Sequence, residues 1–313
     1  MPPVLAQCRA TTGRCPYGAD WVEFAMLQSL QLVQPTTVAE ASSALADSGE
    51  KAKVYAGGAE LLLLFRNGLL DAEILVDVKR IERLHRITAG DGALRIGACV
   101  THQALEKSDL VCAHAPALAY AESQVANVRV RNQGTLGGNL AFSDPHSDPG
   151  TVLLLHDASV TIGNGRGERR MALRDFFVDV YMTAMDADDL LIDIEIPRLP
   201  TGMKSAYRRL HRYQRPTLGV AVGAQVIDGR MSENRLAVGC IGPKPERLTE
   251  LENKLNGVQP ADIGRLVSEE KTYLRDLLRP VDDLLGSADY KLYMACTMLT
   301  DALESVTRSN APD

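Results

Sequence analysis

The pattern of apolar and polar positions predicts a strand, a helix and a second strand after an irregular leading segment. Thr37 and Glu40 stand at the spacing of a capping box before apolar residues at helical intervals, which predicts a helix ending near Gly49. The run KVYAGG, the helical run AELLLLFRNG and the β-rich EILVDV then predict the strand–helix–strand unit. Residues 1–28 show no clean period, so they are assigned to an N-terminal extension of unknown order.

Alternating segments in the middle of the chain predict two hairpins and a further strand. HRITAGDGALRIGACV turns through Asp91-Gly92, and SVTIGNGRGERRMAL encloses a second turn. LLIDIEIP is a strand that ends at Pro197. Short helices are predicted for THQALEKSD, PALAYAESQV and GTVLLLHDA, which lie between these strands.

The last third of the chain predicts an antiparallel sheet covered by helices. From about residue 203, AYRRLHR, GVAVGAQVI and RLAVGCI indicate a meander with a turn at Asp228-Gly229. Helical segments follow near residues 245–255, 261–278 and 289–307. The predicted fold class is therefore α+β.

Composition and charge narrow the class of protein. A chain of 313 residues is long for a single hydrophobic core, so two domains are expected. The formal net charge of −6 argues against a nucleic-acid partner. Six dispersed cysteines without a C-x-x-C pair indicate reduced thiols and a cytoplasmic location. No apolar run reaches the roughly twenty residues of a membrane span.

Two glycine-rich turns are the strongest candidates for a binding site. They are YAGGAEL at residues 55–61 and GTLGGN at residues 134–139. Glycine has no Cβ, so the backbone N–H groups of such turns can approach an anionic oxygen closely, and together the two turns suit a diphosphate. Both could instead be turns that need glycine only for a positive φ, and the pattern leaves both interpretations open.

Two other binding chemistries are less well supported. Asp77 follows Gly57 by about twenty residues, as in a dinucleotide fingerprint. However, GGAELL lacks the third glycine, and the Glu60 carboxylate would compete with a phosphate. Asp144, His146 and Asp148 alternate like metal ligands, but polar turn residues of a loop explain them better, and the phosphate-binding interpretation accounts for Asp148 without an ion. No motif marks a nucleophile or an acid–base catalyst.

Four stretches together resemble one known family. YAGGAELLLLFRNGLLDAEILVDV, LRIGACVTHQALEKSD, RVRNQGTLGGNLAFSDPHSDPG and DLLIDIEIP follow the order and spacing of the FAD-binding medium subunits of molybdenum hydroxylases, such as the carbon monoxide dehydrogenase flavoprotein and the flavin domain of xanthine dehydrogenase. The resemblance implies a vanillyl-alcohol-oxidase-type FAD-binding domain at residues 29–200, with two α/β subdomains at about 29–85 and 86–200. A C-terminal α+β flavoprotein domain would follow at residues 201–313.

The resemblance also implies which residues bind FAD. Residues matching the family's motifs are Tyr55, Ala56, Gly57, Gly58, Ala59, Glu60, Leu61, Thr135, Leu136, Gly137, Gly138, Asn139, Asp148, Leu191 and Arg208. The chain departs from the pattern at Ala59, where relatives usually carry Thr, Ser or His. It also carries Arg208-Arg209 in place of a lysine, and Arg215-Pro216-Thr217 in the segment that faces the isoalloxazine in relatives.

The function implied is electron transfer by an FAD subunit of a heteromeric molybdenum hydroxylase. Six dispersed cysteines cannot ligate an iron–sulfur cluster locally, so [2Fe-2S] clusters are expected on a small partner subunit. A molybdopterin-type molybdenum cofactor is expected on a large partner subunit, in a dimer of heterotrimers. The alternatives are a self-sufficient FAD-dependent oxidase or reductase of the same fold, and an assembly protein that has lost its cofactor. The substrate and the terminal acceptor are not encoded in these motifs.

Overall fold

Residues 30–211 and 215–308 are described by the structure, a computed structural model of the chain. The extension predicted at residues 1–28 lies outside them. The fold is α+β, as predicted. Within the described ranges, no helix has both the length and the apolar character needed to cross a bilayer.

The first sheet has three parallel strands in the order β1-β3-β2. The predicted strand–helix–strand unit is confirmed, and so is the capping box, since the Thr37 side chain accepts a hydrogen bond from the Glu40 N–H and Glu40 accepts one from the Thr37 N–H. Strand β1 is not among the predicted elements. The elements are β1 (Gln31–Val33), α1 (Val38–Ser48), β2 (Ala52–Tyr55), α2 (Leu61–Arg66) and β3 (Ile74–Asp77).

The second sheet is antiparallel, in the order β4-β5-β10-β6-β7, with a separate two-stranded ribbon, β8-β9. Both predicted hairpins are confirmed. Asp91 and Gly92 have φ values of 51° and 75°, which match the right-handed twist of the flanking strands. The strands are β4 (Ile87–Gly90), β5 (Ala93–Gly97), β6 (Ser159–Asn164), β7 (Gly167–Ala172), β8 (Phe177–Asp179), β9 (Met182–Thr183) and β10 (Leu190–Pro197).

A group of short helices lies between β5 and β6. Three of them match the predicted helices, whereas α4, α6 and α7 are additional. The helices are α3 (His102–Glu106), α4 (Asp109–His114), α5 (Pro116–Gln124), α6 (Val128–Gln133), α7 (Leu136–Phe142) and α8 (Asp148–Leu155), with α9 (Leu173–Phe176) following β7.

The third sheet contains the predicted meander in the order β11-β12-β13-β14. The prediction of a single helical segment at residues 261–278 is wrong, because Glu270 leaves helical geometry (φ −89°, ψ 11°) and divides it into two helices. The elements are β11 (Lys204–His211), β12 (Pro216–Ile227), β13 (Arg230–Gly239), β14 (Glu246–Arg247), α10 (Thr249–Leu255), α11 (Ile263–Glu269), α12 (Lys271–Leu278) and α13 (Ala288–Arg308).

The core around the central helices extends beyond residue 200. Helix α8 is buried along its whole length, and it packs against α5 and against strands β12 and β13. Tyr207, Ala221 and Ala237 belong to the same cluster of buried side chains as α8. The central helices and the C-terminal sheet therefore share a hydrophobic core.

Candidate functional site

The first glycine segment, residues 55–61, connects β2 to α2. Gly57 is buried, and a Cβ placed on it would lie 2.1 Å from the carbonyl oxygen of Gln133. Gly58 has φ +74°, and a Cβ there would lie 2.3 Å from the Tyr55 ring. Glycine is thus required at Gly57 by the close approach of another backbone segment and at Gly58 also by backbone conformation.

The second glycine segment, residues 134–139, leads into helix α7. The prediction of a turn is wrong for its second half, because residues 136–139 form the first turn of the helix. Thr135 caps this helix, and its Oγ1 accepts a hydrogen bond from the Gly138 N–H at 3.1 Å. A Cβ on Gly137 would lie 2.4 Å from the Ala98 Cβ, so Gly137 lets the helix approach that residue closely.

The two glycine segments meet in space. The Cβ that Gly57 lacks would fall between the Gln133 carbonyl and Gly134 Cα, 2.9 Å from the latter. Backbone from the loop after β2 therefore packs directly on the backbone that leads into α7. This arrangement brings the predicted segments to one place.

The two segments differ in the hydrogen-bonding groups that remain available. In the second segment, the N–H groups of Leu136 and Gly137 donate to Val100 and Ala98, and that of Asn139 donates to Thr135 O. By contrast, within residues 30–211 and 215–308 the N–H groups of residues 57–60 have no acceptor. Buried backbone donors are seldom left without partners, and Gly57 is buried, whereas residues 58–60 are half-buried and open to a ligand or to solvent. A row of open amides fits the phosphate oxygens of a dinucleotide cofactor.

The side chains of the second segment add one further polar group. The Ser147 hydroxyl donates to Asn139 Oδ1 at 2.6 Å. This bond orients the Asn139 amide, whose Nδ2 donor has no acceptor among the residues that the structure describes. Among the described residues, the first segment therefore offers the backbone amides of residues 57–60, whereas the second offers the Thr135 N–H and the Asn139 side chain. The binding roles of both segments stay predictions.

Tyr55 and Leu191 occupy different surroundings. The Lys79 ammonium lies 3.5 Å from the centre of the Tyr55 ring and 2.9 Å from Asp77 Oδ1, so it holds the end of β2 against β3. Leu191 lies in β10 opposite Ile162 and is buried in the core. A contact between Leu191 and the cofactor stays a prediction.

Asp148 connects the central helices to the third sheet. Its Oδ1 accepts a hydrogen bond from the Tyr207 hydroxyl at 2.5 Å and lies 3.4 Å from Arg209 Nε. Burial raises the pKa of this carboxyl to about 6, although Arg209 and Tyr207 act in the opposite direction. Its partners identify Asp148 first as an anchor for β11, and its predicted role beside the cofactor stays a prediction.

Arg208 and Arg209 face opposite sides of β11. Arg208 is exposed, and its Nη1 donates to the Tyr207 carbonyl at 3.4 Å. The Arg209 side chain is 5% exposed and donates to the Gln124 carbonyl. Arg209, which the predicted site omitted, is thus the buried arginine of the two. The sequence signal was its spacing from Tyr207, because residues two apart on a strand point to the same face.

A buried pair beneath the second segment was missed entirely. His102 Nδ1 lies 2.5 Å from Glu122 Oε2, and both side chains are buried. The backbone N–H of His102 donates to the Gly134 carbonyl at 3.1 Å. The entry to α7 therefore rests on a buried histidine–glutamate pair. These residues lie on separate helices, and no sequence motif links them.

The polar loop after α7 binds other protein groups. Asp144 contacts Arg215 Nη1 at 3.0 Å, whereas His146 Nδ1 lies 3.1 Å from the Pro216 carbonyl. Asp148 faces Tyr207. Because their partners differ, these side chains act as structural contacts of the loop, and no metal-binding group of three His, Cys, Asp or Glu side chains occurs in the described part of the chain.

Comparison with known proteins agrees with this geometry. A family model described as the FAD binding domain in molybdopterin dehydrogenase matches residues 28–199, and one described as the CO dehydrogenase flavoprotein C-terminal domain matches residues 204–306. The nicotine 6-hydroxylase medium subunit of Paenarthrobacter nicotinovorans is 30% identical over 85% of this chain and 93% of its own length. The carbon monoxide dehydrogenase medium chain of Hydrogenophaga pseudoflava is 30% identical, with 87% and 94% covered.

Solved structures show the same fold. A carbon monoxide dehydrogenase structure from Hydrogenophaga pseudoflava superposes with a TM-score of 0.84 at 30% identity, covering 90% of this chain and 98% of that chain. Quinoline 2-oxidoreductase from Pseudomonas putida 86 gives a TM-score of 0.83 at 26% identity, with 90% and 97% covered. The chain therefore belongs to the oxidoreductase family of FAD-binding medium subunits of molybdenum hydroxylases, as its motifs predicted.

Proposed function

We propose that this chain binds FAD between its two glycine segments and transfers electrons from the [2Fe-2S] clusters of a partner subunit to a terminal acceptor. The observation that carries the proposal is the packing of Gly57 against Gln133 and Gly134, with the open amides of residues 57–60 beside it. FAD supplies the redox chemistry when bound, because its ring system accepts and releases electrons. The chain supplies the binding and orientation of that group.

The described cysteines support the placement of the iron–sulfur clusters on another chain. Cys99, Cys112, Cys240 and Cys296 are all free. Burial raises the pKa of the Cys99 thiol to about 12 and that of Cys240 well above its ordinary value, so these thiols stay protonated. Cluster ligation requires thiolates, and the buried thiols are poor candidates.

The names of the relatives support the assembly. They are called medium subunits or medium chains of dehydrogenases and hydroxylases. We infer that this chain joins a small iron–sulfur subunit and a large molybdenum subunit in a dimer of heterotrimers in the cytoplasm. The division into domains at residues 29–200 and 201–313, with subdomains meeting near residue 85, is part of the same proposal.

The first prediction concerns ligand selectivity. Purified apoprotein is expected to take up FAD and to bind FMN at least about 100-fold more weakly, because FMN lacks the diphosphate that the open amides would bind. Flavin fluorescence titration measures both affinities. ADP, which carries a diphosphate without the ring, should compete with FAD. Equal affinity for FMN and FAD, or no uptake of FAD, would contradict the proposed site.

The second prediction separates the subunit function from a self-sufficient oxidase. In the assembled complex, removing FAD should leave substrate-dependent bleaching of the iron–sulfur absorbance intact while electron delivery to an artificial acceptor falls at least about tenfold. Adding FAD back is the control and should restore delivery. The isolated flavoprotein should reduce no acceptor when given the substrate of the complex. Turnover by the isolated chain would favour the oxidase instead.

A further inference from the structure

An arginine beside the third sheet bridges the two sides of the proposed FAD site. Arg215 immediately precedes β12, and its Nη1 lies 3.0 Å from Asp144 Oδ2. Its Nη2 lies 3.8 Å from Glu60 Oε2. Glu60 belongs to the first glycine segment, whereas Asp144 follows the helix that the second segment begins. One guanidinium thus joins two carboxylates from separate parts of the site.

The two contacts differ in strength. Asp144 is held in place because its Oδ1 accepts a hydrogen bond from the His146 N–H at 2.9 Å, and its side chain is only 10% exposed. Glu60 is 42% exposed, and its contact with Arg215 is the longer one. Arg215 is therefore fixed to the side of the site formed by α7, and it reaches across to the first segment from there.

The position of Glu60 explains why a cation is needed. Its carboxylate belongs to the same four residues, 57–60, whose amide groups are open. A carboxylate beside bound phosphates is repulsive, and a guanidinium close to that carboxylate offsets the repulsion. The conflict between Glu60 and an anionic ligand, apparent from the sequence, is thus relieved by Arg215, which immediately precedes the third sheet.

We propose that Arg215 is a positioning residue for FAD, which neutralises Glu60 and connects both sides of the site so that bound FAD is released slowly. This inference rests on the proposed FAD binding. Because Arg215 immediately precedes strand β12, retention of the cofactor depends on the position of the third sheet as well as on the glycine segments. The effect of Arg215 on FAD release is electrostatic, since one guanidinium lies between two carboxylates. It should therefore weaken as added salt screens these charges.

The test is the rate of FAD dissociation from full-length protein, followed by flavin fluorescence after dilution into an excess of an unrelated apoenzyme that binds free FAD tightly. Arg215→Gln should release FAD about 5- to 10-fold faster than the wild type at low ionic strength, and this difference should shrink in high salt. Arg215→Lys should fall between the two, since it keeps the charge without the two-pronged geometry.

Two further variants test why FAD release is faster in Arg215→Gln. Glu60→Gln combined with Arg215→Gln should recover most of the lost retention, because the uncompensated carboxylate is gone. Arg265→Gln is the matched control. Arg265 also lies between two carboxylates, Glu269 at 2.8 Å and Asp262 at 3.5 Å, but on helix α11. Its replacement should leave FAD release unchanged.

The outcomes are distinct. If the wild type binds no FAD, the proposed function fails. If the wild type binds FAD and Arg215→Gln releases it at the wild-type rate, the role of Arg215 is wrong while the proposed function stands. If Arg215→Gln and Arg265→Gln accelerate FAD release equally, the proposed role of Arg215 is also wrong. The faster release would then result from the change in net charge and not from the position of Arg215. Thermal unfolding of each apoprotein verifies that the variants are folded.

Discussion

Replacing Gly57 by alanine is expected to lower FAD affinity by roughly 10- to 100-fold, the equivalent of about 1–3 kcal/mol of overpacking. The added methyl group would fall 2.1 Å from the Gln133 carbonyl oxygen, so the two glycine segments would have to separate. The open amides of the first segment would then shift relative to the polar groups of the second. Flavin fluorescence titration of the purified variant measures the loss.

A second glycine provides the control for this substitution. A methyl group added to Gly90 in β4 would meet no atom within 4 Å, and Gly90 does not have a positive φ, so Gly90→Ala should bind FAD like the wild type. Thermal unfolding of the apoproteins distinguishes a local shift from global misfolding. If Gly57→Ala is folded and binds FAD with wild-type affinity, the junction of the two segments is not the binding site.

Replacing Arg209 by methionine is expected to destabilise the protein by about 3–5 kcal/mol at pH 8, the usual cost of leaving a buried charge without its partner. Asp148 and Arg209 are 4% and 5% exposed, so solvent screens their interaction poorly. The folded-state pKa of Asp148, about 6, already exceeds its ordinary value of 3.8. Loss of the arginine, which lowers that pKa, would raise it further.

The stability lost in Arg209→Met should depend on pH, because the pKa of Asp148 is raised in the folded protein. A carboxyl whose folded-state pKa is raised contributes most to stability when protonated, below an ordinary pKa of 3.8, and the contribution is lost as the pH rises through about 6. The cost of Arg209→Met should therefore be smaller at pH 5 than at pH 8. Urea unfolding at both pH values measures it, and Asp148→Asn in the same background should restore part of the stability at pH 8.

A neighbouring arginine provides the comparison. Arg208→Met changes an exposed side chain on the same strand and should alter the free energy of unfolding by no more than about 0.5 kcal/mol. If Arg209→Met is equally destabilising at pH 5 and pH 8, the ionisation of Asp148 is not what makes Arg209 necessary.

Secondary structure is predictable where the signal is local. The capping box of Thr37 and Glu40, and the hairpin turns at Asp91-Gly92 and Asp228-Gly229, each lie within a few residues of sequence. Strand β1 escapes prediction because its three residues depend on distant pairing, Gln31 with Ile74. The sequence favours a turn at α7 because glycine disfavours helices, whereas the Thr135 cap and the close contact of Gly137 with Ala98 stabilise the helix.

The candidate site is predictable only in outline. The glycines mark two segments, but the available amides depend on tertiary contacts, such as the bond from Gly137 N–H to the Ala98 carbonyl. Strand alternation places Arg208 and Arg209 on opposite faces, yet the packing of β11 decides that Arg209 is the buried one. Arg215 and Glu60 are far apart in sequence, so their contact has no local signature.

The packing of helix α8 has a consequence for how the two parts of the chain can move relative to each other. Because it is enclosed between α5 on one side and strands β12 and β13 on the other, the parts of the chain on either side of residue 200 are joined through a shared core around this helix. Arg215, carried by the later half, is thereby kept in register with Glu60 in the earlier half. Relative motion of the two parts would have to break the packing around α8, so this helix keeps the geometry of the proposed FAD site constant.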